Sequence, residues 1–410
     1  MTQIHIQHGR IIDPANKIDS VGDIYIVDGN IAALFDPPEN FQADTVIDAT
    51  GKVVCAGFID LSTRLRDMGH SRKGTFKSET RAAASAGITT LCLQPDTRPA
   101  MDAASIAEYI KDLAEKANYP QIYPIAALTQ KLDGVELSSM LKNLLILRRA
   151  MEYAASHDLL YICRPNDFSL SNKGCAHEGA VATRYGLPSI PEAAETIALA
   201  ECLELAELTG CRVHFGQLSC KRSVIKIHQA KKYGLNVSAD VAIHQLHLTE
   251  NDIIPFDSAY HVLPPLRTEA DKKHLRQGLA NGTINSICSD HQPHDLDAKL
   301  GAFPETESGV SSLETLLPLM LKLVAKRVIS LEQGIAALTH QPAQILRLPS
   351  GALTVGFSAD VCIFDPELTW QINSDTWQSR GINTPFWGQT MTGRVTHTLQ
   401  AGKIIFSLNN

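Results

Sequence analysis

Ile88-Thr89-Thr90-Leu91-Cys92-Leu93 is a short, nearly unbroken apolar run rich in β-branched residues, and a helical pattern from Ala104 to Ala117 follows it. A run of this length without alternation fits a strand buried on both faces, the kind found in parallel sheets. The same unit recurs down the chain. Ile122 to Leu128 reads as a strand, Leu144 to Ala155 as a helix, Leu159 to Cys163 as a strand and Pro191 to Thr209 as a helix. Arg212 to Phe215, Ser223 to Tyr233, Asn236 to Val241 and Ile284 to Ser289 continue as strand, helix, strand and strand. Parallel strands joined by helices, repeated this often, predict an α/β fold built on a (β/α)8 TIM-like barrel. In such a barrel the chemistry gathers where strands end, so the residues just after each strand are the candidates.

Both ends of the chain read differently. Ile4 to Gln7 and Asp23 to Val27 alternate as half-buried strands do, Gly9-Arg10 is expected to begin a turn, and Asp28-Gly29 is a hairpin signal. Val46-Ile47-Asp48 and Lys52-Val53-Val54 add two short strands. At the far end Ala359 to Phe364, Val395 to Leu399, the turn Ala401-Gly402 and Lys403 to Phe406 repeat the pattern. The two ends are expected to pair in a small β-sandwich domain. This places residues 1–56 and 347–410 in that domain and residues 57–346 in the barrel.

The chain has 410 residues, 44% apolar and 20% charged, which is ordinary for a globular protein. Its net charge of −7 argues against a nucleic-acid or anionic-membrane partner. No apolar run approaches the roughly 18–20 residues of a membrane span. Met1 to Arg10 has no apolar leader core. Nine cysteines, none in a CxxC pair, are expected to be reduced buried thiols of a cytoplasmic protein.

After the strand beginning at Val53 comes Gly57-Phe58-Ile59-Asp60-Leu61-Ser62-Thr63-Arg64-Leu65-Arg66, and further on Ser289-Asp290-His291-Gln292-Pro293-His294. These segments resemble the G-x-I-D-x-H-x-H-x-R and T-D-H-x-P-H motifs of dihydroorotases, members of the metal-dependent amidohydrolases. Further echoes cover nearly the whole chain: His177-Glu178-Gly179, Pro191 to Glu195, Pro264-Pro265-Leu266-Arg267, Ser308-Gly309 with Leu313-Glu314-Thr315, Ser358-Ala359-Asp360 and Asn383 to Gly388. The resemblance implies an amidohydrolase-type barrel. It also implies a zinc site in active members, whose ligand positions fall here on Ser62, Arg64, Arg164 (or, one residue off, Cys163) and Gln217. A guanidinium has no lone pair to offer and a hydroxyl is a poor ligand, so the histidines that would hold the metal are lost. Asp290 matches the aspartate that binds the metal and acts as general base. Without a metal to lower the pKa of water it is only a vestige of that position. Arg66 and His294 match residues that bind the substrate's carboxylate. Asp96 replaces an asparagine there, and its charge would repel an anion such as dihydroorotate. His214 matches a strand histidine that is not a ligand and reads as a core residue. About 15 residues, enough for a strand and its turns, are short between Leu128 and Leu159. Either the barrel is reduced there or a flexible segment is absent from the chain as given.

The resemblance is greatest to non-catalytic dihydroorotase homologues of pyrimidine biosynthesis that assemble with the catalytic chain of aspartate transcarbamoylase. It implies a structural subunit, a homo-oligomer, without a cofactor of its own. The alternative is an active dihydroorotase with a non-standard metal site drawn from Cys163, His214, Cys220, Cys288 and Asp290. A third reading is a metal-free scaffold outside pyrimidine synthesis, like the collapsin response mediator proteins.

Overall fold

The structure is a computed structural model that describes residues 2–117, 121–127 and 144–408. Strands β1 (Gln3–Asp13), β2 (Ile18–Val27) and β3 (Asn30–Leu34) form an antiparallel meander. Asp28 and Gly29 turn it with φ of +47° and +83°, the positive pair that a two-residue hairpin needs. The turn expected at Gly9-Arg10 does not form. β1 runs through it to Asp13, with a register shift between Ile6 and Gly9 and His8 at φ +60°. The glycine serves close packing instead, because a Cβ there would collide with the Val54 side chain. β4 (Thr45–Asp48) and β5 (Val53–Ala56) lie parallel to successive stretches of β1.

The barrel begins with β6 (Phe58–Thr63), β7 (Ile88–Leu93) and β8 (Gln121–Pro124), paired in parallel in that order. All six residues of β6 and all six of β7 are buried, as strands covered on both faces require. β9 (Leu160–Cys163) follows the helix Leu144–Ser156. β10 (Ala176–His177) and β11 (Ser189–Ile190) pair only with each other, outside the barrel. β12 (Arg212–Phe215), β13 (Val237–Ala242) and β14 (Ser286–Cys288) then complete a second parallel run in the order β14-β13-β12-β9. A bridge between Thr63 and His291 joins the two runs beside β6. Seven barrel strands therefore lie among the described residues. The shortfall read between Leu128 and Leu159 falls mainly on residues 128–143, outside those described, as does the end of the strand expected to reach Leu128.

Helices cover the barrel. Several start with reciprocal caps, Thr75 with Ser78, Thr268 with Asp271 and Ser330 with Gln333, and the helix Ala193–Thr209 stops at left-handed Gly210. The main core joins strand residues such as Phe58, Leu91, Phe215 and Ile287 to Leu199, Ile227, Leu316 and Leu319 from the helices. No helix among the described residues is long and apolar enough to cross a membrane.

The chain returns to the small domain with β15 (Val361–Gln371), β16 (Thr390–Gln400) and β17 (Lys403–Ser407). Ala401 and Gly402, at φ +46° and +71°, form the last hairpin. β15 pairs antiparallel with β5, so the termini share one eight-stranded sheet in the order β17-β16-β15-β5-β1-β2-β3, with β4 on β1. Its strands enclose a separate core containing Ile4, Ile6, Ile24, Ile26, Val54, Ile363 and Leu399.

Candidate functional site

The C-terminal ends of the barrel strands deliver the candidate side chains to one mouth. Ser62 comes from the end of β6, Arg64 just after it, Gln217 after β12 and Asp290 after β14. Gln217, Asp290 and Arg66 all have positive φ, at +58°, +49° and +64°. Such backbone is costly for residues other than glycine and is typical of sites where side-chain aim matters more than local stability.

Asp290 is 1% exposed and is the hub. Its Oδ1 accepts hydrogen bonds from Gln217 Nε2 at 2.8 Å, from Gln292 Nε2 at 3.0 Å and from Arg64 NH1 at 3.3 Å. Arg64 also donates from Nε to Asp96 Oδ2 at 2.6 Å. Burial works against the Arg64 charge, but Asp96 and Asp290 outweigh it and hold its pKa above the ordinary value. Asp96, read from the sequence as a repulsive charge toward an anionic ligand, is thus also Arg64's strongest partner. The two arginine substitutions have different fates. Arg64 reaches Asp290, whereas Arg164 after β9 makes no ion pair among the described residues. Desolvation lowers the Arg164 pKa, and the residue stands near enough to the mouth for the charges of Asp290 and Arg64 to act on it.

Gln217 donates from the same amide nitrogen to Ser62 Oγ at 2.5 Å. Its orientation follows from charge, since the opposite flip would set its carbonyl oxygen against the Asp290 carboxylate. The cost is that Gln217 Oε1 is buried without a partner. His214 is buried, as expected of a core residue, and is also fully bonded. Its Nε2 meets Asp240 Oδ2 at 2.8 Å and its Nδ1 meets Ser238 Oγ at 2.8 Å. Asp240 Oδ1 in turn accepts the Gln217 backbone N–H at 2.7 Å, so the pair pins the strained residue.

Arg66 and His294 border the same mouth. Arg66 Nε and His294 Nδ1 are both buried and unpartnered, and Arg66 NH1 lies 4.0 Å from Asp96. Burial, reinforced by Arg66, Lys299 and Lys73, pushes the His294 pKa down to about 2, so this imidazole is neutral. The sequence reading passed over Gln292, Asp240 and His244. Gln292 occupied the variable place in its motif and carried no signal. His244 did carry one, because it stands two residues beyond the end of β13. It is fully buried with both ring nitrogens unpartnered, and burial lowers its pKa to about 4.

These residues do not fit a divalent metal. The lost-ligand positions offer a hydroxyl, two guanidinium groups and an amide that turns its nitrogen inward, while the one carboxylate already accepts three hydrogen bonds at Oδ1, one of them from a fixed cation. The non-standard candidates do not converge either. His214 and Cys288 are bound to Asp240, Cys220 contacts Glu195 at 3.2 Å, and Cys163 lies 3.5 Å from Cys202. Among the described residues no group of three or more His, Cys, Asp or Glu side chains is placed to hold a metal. All nine cysteines are buried and free.

Known proteins share this sequence and architecture. The amidohydrolase family matches residues 53–405. A dihydroorotase-like protein of Pseudomonas aeruginosa is 44% identical over 418 residues, covering 98% of this chain and 99% of the relative. A dihydroorotase of Syntrophotalea carbinolica is 38% identical over 425 residues, covering 100% of each. That alignment is longer than this chain of 410 residues, so the relative carries residues with no counterpart here. Among solved structures, the L-hydantoinase (dihydropyrimidinase) of Arthrobacter aurescens superposes with a TM-score of 0.87 over 99% of this chain and 96% of its own, at 24% identity. That likeness speaks for the barrel with its small β domain. The extent of the family match, with relatives well above 30% identity over the full length, places the chain in the amidohydrolase family as a dihydroorotase-like member.

Proposed function

We propose that this protein is a non-hydrolytic dihydroorotase-like subunit of pyrimidine biosynthesis, a cytoplasmic homo-oligomer that assembles with the catalytic chain of aspartate transcarbamoylase. The observation that carries the first part is the Arg64–Asp290 ion pair. Dihydroorotase chemistry of this family needs a metal-bound hydroxide, because a carboxylate alone meets water with a pKa near ~15.7 instead of ~7. Here a guanidinium holds the carboxylate that would bind that metal. The assembly role is supported by a barrel and small β domain that are retained while the hydrolytic groups are replaced, which is what selection for shape leaves behind.

The test is elemental analysis of chelator-washed protein beside a dihydroorotase assay and co-purification with aspartate transcarbamoylase. The expected outcome is no stoichiometric zinc, no turnover and a stable complex. Near-stoichiometric zinc with turnover would overturn the non-hydrolytic reading, and absence of a complex would overturn the assembly role.

A further inference from the structure

Glu307 stands on the long loop after β14 and meets the mouth beside Arg66 and His294. Its carboxylate Oε2 lies 2.5 Å from Lys73 Nζ and 3.6 Å from His294 Nδ1, and its charge acts on Arg66. Lys73 is 8% exposed, and Glu307 is its one ion partner among the described residues. A buried ammonium of this kind needs an anion.

The backbone around Glu307 is fastened on both sides. Its N–H donates to Ala298 O at 2.9 Å and its carbonyl accepts from Lys299 Nζ at 2.6 Å. The next carbonyl, of Ser308, accepts from His294 Nε2 at 2.9 Å. Gly309 then passes so close to the wall that a Cβ would lie 2.6 Å from Gln292 Cβ and 2.9 Å from His294 Nε2, at φ +135°. Only glycine allows that approach. The carboxylate is therefore delivered to this corner by a fixed loop.

The contact also has a chemical oddity. His294 Nε2 must donate to the Ser308 carbonyl, and 3.6 Å from Nδ1 to Glu307 is too long for a hydrogen bond. Glu307 is thus held by charge, from Lys73 and Arg66, in the corner where Arg66 and His294 would meet a ligand's carboxylate. A second carboxylate could enter only beside a like charge or by displacing the first.

We infer that Glu307 is a built-in anion plugging a small-carboxylate site formed by Lys73 and Arg66, so that a ligand of that class binds only when the Glu307 carboxylate is displaced or neutralised. This rests on the reading above that Arg66 belongs to the ligand-carboxylate corner. Lys73 and Glu307 are its new elements.

The probe is dihydroorotate, titrated calorimetrically into wild-type protein and into Glu307→Gln. Glu307→Gln keeps the side-chain shape but strands the Lys73 ammonium, so the fold of the variant is first confirmed by circular dichroism and its melting temperature. We expect at least tenfold tighter binding to the variant. Dihydrouracil, which has the same ring without the carboxylate, should show no gain, and adding Lys73→Met to Glu307→Gln should remove most of the gain for dihydroorotate. Equal affinity in wild type and Glu307→Gln would overturn the inference, as would an equal gain for dihydrouracil. Hydrolysis of bound dihydroorotate would sink the non-hydrolytic reading while leaving the plug standing.

Discussion

Arg64→His restores one family histidine and should nevertheless harm the protein. The imidazole is shorter than the guanidinium and cannot span Asp96 and Asp290 together. The Asp96 half of that bridge is 41% exposed and contributes at most about 1 kcal/mol. The Asp290 half decides the outcome, because that carboxylate is 1% exposed. Stranding one member of a buried pair costs about 3–5 kcal/mol. Two amide donors, Gln217 and Gln292, remain on Asp290, and the lost contact is long at 3.3 Å, so the lower end applies. A loss of about 3 kcal/mol, against an unfolding entropy of roughly 0.9 kcal/mol/K for a chain this long, lowers Tm by about 3–4 °C. Differential scanning calorimetry at pH 8, well above the ordinary pKa of a histidine, reads this directly. Adding Asp290→Asn removes the stranded charge, so the double variant should recover about 2 kcal/mol relative to additivity. Zinc should restore no dihydroorotase activity, since Ser62, Arg164 and Gln217 still occupy the other positions. An unchanged Tm in Arg64→His, or strict additivity in the double variant, would refute the idea that arginine replaces the metal's charge.

Two further outcomes follow from the same mouth. Asp290→Ala should leave the proposed complex with aspartate transcarbamoylase largely intact, because Arg64 keeps Asp96 as a partner. Abolition of a measurable hydrolase activity by that substitution would instead make the chain an enzyme. His244 titrates at about 4 when folded, against the ordinary 6.5. Its pKa is lowered, so the unfolded chain binds the extra proton between pH 6.5 and 4, and stability drains away as pH falls through that window. At pH 5 the cost is about 2 kcal/mol. Urea titrations at pH 7 and pH 5 should show His244→Phe losing that much less than wild type; equal losses would sink the assignment.

How much of this was legible in the sequence depends on the range of the signal. Buried parallel strands are written locally, in runs such as Ile88 to Leu93, and the residues at their ends could be named from strand position alone. That is why Ser62, Arg64, Gln217 and Asp290 are found together. Gly9-Arg10 misled because a glycine that allows close packing looks the same in sequence as one that allows a turn. What stayed hidden were contacts between loops far apart in the chain. No local pattern ties Glu307 to Lys73, or Gln217 to Ser62 and Asp290. Arg64 and Arg164 make the same point within one site. Both replace a histidine with the same side chain, and nothing nearby in sequence says which will pair with Asp290. The difference lies across the mouth. Arg64 emerges where Asp96 and Asp290 can both be reached, and Arg164 makes no such pair among the described residues. The replacement of the family's histidines was therefore readable residue by residue, while the Arg64–Asp290 pair that stands in their place depends on the fold that brings those residues together.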